Sequence, residues 1–183
     1  GGVIYFYSTT SGECILNKIC AFNCSITGTY SYTIEGQFAY IYVGNNINYK
    51  NRVNDTSITH SPMLYTKPQF SLLLENGNIL CPSVNLTNNK CYTHSALRFY
   101  PTASSALDTC YVSYCSIVNN TANGGFGCIW LDNTASSHLF NTCNIINNQQ
   151  TSADYGSFLI NAKLFIKDSC ILGNNKGKIV FYV

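Results

Sequence analysis

General acid or base chemistry in this chain could draw on only eight acidic side chains, Glu13, Glu35, Asp55, Glu75, Asp108, Asp132, Asp154 and Asp168. An inverting glycoside hydrolase needs two carboxyl groups roughly 6.5–9.5 Å apart across a sugar. No two of the eight are adjacent in sequence. A lyase would add an acidic cluster for calcium and a basic proton abstractor, and the only arginines are Arg52 and Arg98. Metal chemistry fares no better. Cys81, Cys91 and His94 form a single loose group, and Cys20 with Cys24 lacks a second pair, whereas a structural zinc site wants two tight pairs. His60 and His138 are isolated, and no Gly-x-Ser-x-Gly elbow supplies a nucleophile. The residues therefore point to no catalytic site, no metal and no cofactor.

Two other groups could meet a ligand. Asn23, Asn54, Asn85 and Asn119 each open an Asn-x-Ser/Thr sequon and are candidate glycan-attachment points. In a chain this rich in Asn, Ser and Thr, chance supplies about as many, so they say nothing about compartment. Tyr5, Tyr7, Tyr30, Tyr32, Tyr40, Tyr42, Tyr49 and Tyr65 crowd the first half. Alternation puts Tyr40 with Tyr42, and Tyr30 with Tyr32, on one face of a strand. Such a face either covers the core or receives a glycan or protein partner.

The elements that position these side chains follow from composition and period. The 183 residues are 46% hydrophobic but only 10% charged, against roughly 25% in ordinary domains. A formal net charge of +2 is too small for a phosphate-neutralising stripe, so nucleic acid is not expected as a partner. No apolar run reaches the length of a membrane span. Ile, Val, Tyr, Phe and Thr cluster in short runs separated by Asn, Gly and Ser, which is the vocabulary of strands and turns.

The 23 Asn recur at fixed places. Cys115-Ser-Ile117-Val-Asn119-Asn120 is followed by Cys143-Asn-Ile145-Ile-Asn147-Asn148 and by Cys170-Ile-Leu172-Gly-Asn174-Asn175, in steps of 28 and 27 residues. Val84-Asn-Leu86-Thr-Asn88-Asn89 fits the template 31 residues before Cys115, Cys24-Ser-Ile26 fits it in part, and a degenerate unit near Val53 fills the gap. After each clear Asn pair comes a Gly turn and an apolar run, as in Gly156-Ser-Phe-Leu-Ile160, and a further strand such as Lys163-Leu-Phe-Ile166 precedes the next cysteine.

The reading is an all-β, single-domain parallel β-helix over 1–183, of about six coils with 27–31 residues and three short strands each. A sandwich has no such period, and a propeller blade needs about 40 residues. Equivalent positions in stacked coils form columns. Cys115, Cys143 and Cys170 are expected as small buried residues, and Ile117, Ile145 and Leu172 as an aliphatic stack. Asn119, Asn147 and Asn174 are expected at a left-handed corner, bonding to their column neighbours. Cysteines outside the column, such as Cys14, Cys81, Cys91 and Cys110, are open to disulfide pairing in a secreted protein.

The stretch from Cys115 to Ile129, with Asn119-Asn120 followed by Gly124-Gly-Phe-Gly-Cys-Ile129, resembles the repeat of the polymorphic outer-membrane proteins and related β-helix surface proteins, which have a pectin-lyase-like fold. Phe140-Asn-Thr-Cys143 is similar to an aromatic element of the same repeats, and Gly1-Gly-Val-Ile-Tyr5 to their Gly-Gly-hydrophobic element. The phase at both ends suggests a section of a longer protein. The resemblance implies a right-handed β-helix at the cell surface or outside the cell, used for adhesion, display or structural extension, with no catalytic residues. Its partner would be a protein or glycan, or another copy stacked on a coil end. A carbohydrate-binding or carbohydrate-processing β-helix and an end-to-end filament are the alternatives.

Overall fold

A computed structural model of the chain describes residues 3–10, 12–25, 35–63, 69–92, 96–104, 106, 109–124, 127–151, 156–175 and 180–183. Among them every regular element is a strand, and every strand pairing is parallel. The short apolar clusters form strands because β-branched and aromatic residues alternate inward and outward, as the buried–half-buried alternation of Asn78–Pro82 shows.

The chain winds as a parallel β-solenoid whose walls are four stacks of strands. Sheet 1 has seven strands: Ile4–Tyr7, Glu35–Tyr42, Gln69–Glu75, Leu97–Tyr100, Ile129–Leu131, Phe158–Ile160 and Phe181–Tyr182. Sheet 2 has six: Cys14–Asn17, Lys50–Asn54, Asn78–Pro82, Cys110–Ser113, Ser137–Asn141 and Lys163–Lys167. Sheet 3 also has six: Cys20–Phe22, Ser57–Thr59, Asn85–Thr87, Ser116–Val118, Asn144–Ile146 and Cys170–Leu172. Beyond the three strands expected per coil, a short sheet 4 stacks Lys90–Cys91, Thr121–Ala122 and Gln149–Gln150.

Two corners turn on single left-handed residues. Between sheets 2 and 3 sit Lys18, Asp55, Ser83, Tyr114, Thr142 and Asp168, with φ between 46° and 56°. After sheet 3 sit Asn23, His60, Asn88, Asn119, Asn147 and Gly173, the last with φ 65°. Asn and Gly are the residues that reach this region at least cost.

The core is the column interior: Ile58, Leu86, Ile117 and Ile145 stack level with one another, against Val112, Phe140, Leu97 and Phe99. Three columns differ from expectation in their last member, and for one reason. Sheet 3 pairs Asn144 with Cys170 and Ile145 with Ile171, one residue off the sequence template. A one-residue slip flips every side chain to the other face. Cys170 and Leu172 therefore point out, Leu172 being 63% exposed, while Ser169 stands level with Cys143. Gly173, not Asn174, takes the corner beside Asn147. In the same way Thr56 rather than Val53 stands level with Val84, and Ile19 rather than Cys24 begins that column.

Asn174 belongs instead to a buried amide ladder with Asn89, Asn120 and Asn148. Each Nδ2 donates to the next Oδ1, over 3.0, 2.9 and 3.0 Å, and also to a backbone carbonyl. In Asn88-Asn89, Asn119-Asn120 and Asn147-Asn148 the two residues divide the work, the first bending the chain and the second tying neighbouring coils, whereas in the last coil Gly173 bends and Asn174 ties. Burying an amide this way costs little only because its partners are complete.

Candidate functional site

The outer face of sheet 1 carries rows of aromatic side chains with one charged cluster among them. Strand register sets Tyr5, Tyr40, Leu73, Arg98, Trp130, Leu159 and Tyr182 in one outward row, and Tyr7, Tyr42, Glu75 and Tyr100 in the next. The Tyr7 and Tyr42 rings stack at 4.6 Å, and Tyr5 leans on Tyr40 at 5.3 Å. Tyr5 and Tyr7 remain 61% and 53% exposed, so this corner of the wall is open to a ligand. Tyr49 instead hydrogen-bonds the Thr10 carbonyl at 3.0 Å. Tyr30, Tyr32 and Tyr65 lie outside the described residues.

At the middle of the wall Arg98 bridges two carboxylates, 3.1 Å from Glu75 and 3.0 Å from Asp132, while its guanidinium lies 4.1 Å from the centre of the Trp130 ring. The planar fork of Arg suits such a double ion pair and such stacking. Tyr40 donates to the second oxygen of Glu75 at 2.8 Å, and burial together with that carboxylate pushes the phenol well above its ordinary range, so it stays a donor. The second oxygen of Asp132 accepts from the Asn133 amide at 2.9 Å. Every carboxylate oxygen of the cluster thus has a donor. Sequence spacing could not bring Glu75 and Asp132 together, because they lie two coils apart and meet only through the strand between them.

Of the eight acids, Glu75 and Asp132 therefore meet, through Arg98 and not at a shared open site. Asp132 sits in this cluster, Asp168 is exposed at a corner with Lys167 at 3.9 Å, and Asp108 and Asp154 lie outside the described residues, as does His94. His138 is buried, with Nε2 3.1 Å from the Asp132 carbonyl and 3.4 Å from Ser136 Oγ. Ser, His and Asp are therefore close, but the aspartate presents its backbone oxygen to the ring and its carboxylate to Arg98. Burial lowers the imidazole pKa to about 4, so it is a neutral hydrogen-bond donor at pH 7.

Asn23, Asn85 and Asn119 are exposed, whereas Asn54 is half-buried and the hydroxyl of its sequon Thr56 is spent on the Asn54 carbonyl at 2.7 Å. Asn85 borders an open cavity of about 380 Å³ at the first corner, lined by Lys18, Ile19, Cys20, Asp55, Ser57 and Ser83. All ten cysteines are free thiols, eight of them buried. Cys115 donates to the Cys81 carbonyl at 3.0 Å, and its neighbour Cys143 together with burial pushes its pKa up. Cys20 and Cys170 are the exposed pair. Among the described residues, no three His, Cys, Asp or Glu side chains cluster as metal ligands, and no helix is long and apolar enough to cross a membrane.

Compared with family models, curated proteins and solved structures, the chain matches none.

Proposed function

We propose that this chain is a section of a right-handed parallel β-helix of about six coils, from a cell-surface or secreted protein of the polymorphic outer-membrane type, that works without catalysis in adhesion or display. The observation that supports it is the wall of sheet 1. Its outward rows put four tyrosines side by side at one end, two of them more than half exposed, on a rigid backbone. Rigid aromatic side chains with a polar tip serve glycan and protein contacts alike, since little entropy is lost on binding. The Glu75–Arg98–Asp132 cluster favours binding over hydrolysis, because each carboxylate oxygen already accepts a hydrogen bond from the protein and both acids are turned to one arginine.

The test is binding of the chain to immobilised glycans and extracellular-matrix proteins, compared with a Tyr5→Ala/Tyr7→Ala variant. We expect at least one ligand whose binding the variant loses while melting at nearly the same temperature. Binding that survives the double substitution, or turnover of a polysaccharide lost in Glu75→Gln, overturns the reading, the latter in favour of a carbohydrate-processing β-helix. A filament of stacked coils is the second reading. It draws on the backbone edge of a parallel strand, which can pair with the strand of another copy.

A further inference from the structure

We infer that the outer face of sheet 2 is a docking surface for an elongated protein segment that carries an apolar stripe with a carboxylate in it. This goes beyond the adhesion reading and rests on a different wall. Register places Ile15, Arg52, Leu80, Tyr111, Leu139 and Phe165 at one position on six successive strands. At about 4.8 Å per strand the stripe is about 24 Å long. Ile15 and Phe165 are 44% and 45% exposed, and the four between them are half-buried. The rows on either side are polar or charged, with Lys50, Asn78 and Lys163 on one and Asn54, Ser113 and Asn141 on the other. The apolar surface is therefore one side chain wide.

Arg52 interrupts this stripe and selects the partner's charge. Among the described residues its side chain makes no hydrogen bond or ion pair, and its Nε is buried with no partner. With no acid beside it, the guanidinium is left to pair with an incoming carboxylate through its terminal nitrogens. The rest of the face has the same sign. Lys163 and Lys167 are exposed beside Phe165, the latter with Asp168 at 3.9 Å, and Glu13 is held by Lys50 at 3.0 Å, so the cations of the face still outnumber its acids. That excess of cations disfavours a second copy docking by the same face. Ile15, Leu80 and Leu139 offer nothing to a hydroxylated sugar, and a stripe one side chain wide matches a chain segment better than the plane of a bilayer.

The probes are two fluorescent peptides of about 16 residues, a helical length of about 24 Å. They share one leucine stripe and differ only in Glu or Lys at its centre. We expect the Glu peptide to bind at least about tenfold more tightly than the Lys peptide. Arg52→Met should erase that preference at unchanged melting temperature, and Leu139→Asn should weaken both peptides. Equal affinities, a preference that survives Arg52→Met, or no measurable binding of the Glu peptide at millimolar concentration each overturn the inference. So does tighter binding to phosphatidylserine vesicles than to the Glu peptide, which would give the face to lipid. Self-association in sedimentation velocity that Arg52→Met abolishes would give it to a second copy. None of these outcomes depends on the tyrosines, so the glycan and matrix experiment succeeds or fails separately.

Discussion

The chain's two arginines both stand at outward positions, Arg98 on the fourth of seven strands of sheet 1 and Arg52 on the second of six strands of sheet 2, and they have opposite surroundings. Arg98, on sheet 1, is only 11% exposed and has two carboxylates and an indole around it. Arg52, on sheet 2, lies between Ile15 and Leu80 without an acid partner among the described residues. The first is a closed site whose charges are spent internally. The second is open, so its charge is available to something outside the chain. On a solenoid the backbone around both is the same, and the difference comes from which residues the neighbouring coils place at the same level.

Breaking the closed site should have the largest effect. Arg98→Met leaves Glu75 and Asp132 facing each other without a counter-ion, and the loss of one member of a mostly buried ion cluster costs roughly 3–4 kcal/mol. For a chain of this size that lowers the melting temperature by roughly 6–16 °C. Glu75→Gln on that background should restore part of the loss. A melting curve unchanged by Arg98→Met would mean that the cluster contributes nothing.

Next is the pH dependence built into the back of the same site. His138 is held neutral in the folded chain and binds its proton more readily when unfolded, since its folded pKa is about 4 against an ordinary 6.5. Stability should therefore be full above pH 6.5 and fall as the pH drops towards 4, by about 2–3 kcal/mol in total. Urea midpoints across that range measure it, and His138→Phe should flatten this part of the slope. A slope identical in the variant would mean that other groups cause the acid loss.

The aromatic end of the wall should respond less. Tyr42→Ala removes the ring stacked on Tyr7 and is expected to cost about 1–2 kcal/mol, whereas Tyr7→Ala, more than half exposed, should cost under about 1 kcal/mol. Denaturant titration separates the two. The smallest effect is expected on the open wall, where Arg52→Met should change stability by less than about 0.5 kcal/mol in either direction. A loss comparable to that of Arg98→Met would show that Arg52 is a structural residue and erase the contrast between the walls.

Much of the fold was legible because the repeat is a spacing property. Cys115 with Cys143, and Ile117 with Ile145, sit level in the structure because their coils are the same length through sheets 2 and 3. The next coil broke the template. Matching Cys170 to Cys143 by residue type conceals a one-residue shortening, and only the hydrogen-bonded register shows that Ser169 and Ile171 take the inward places. The Asn pairs were legible as corners, but which Asn bends and which one bonds depends on the direction of its side chain. The site was less legible still. Glu75, Arg98, Trp130 and Asp132 share no motif, and their meeting depends on three different strands lying side by side.

By itself the sequence determined the class: short β-branched and aromatic runs between recurring Asn and Gly can bury their apolar residues only by stacking coil on coil. Tertiary structure alone decided the neighbours. In a parallel stack each side chain touches residues one coil away, 23 positions along the chain for Phe158 and Phe181 and 37 for Cys14 and Asn51. A slip of one residue there exchanges core for surface, so the closed site of Arg98 and the open one of Arg52 could not be told apart before the strands were in register.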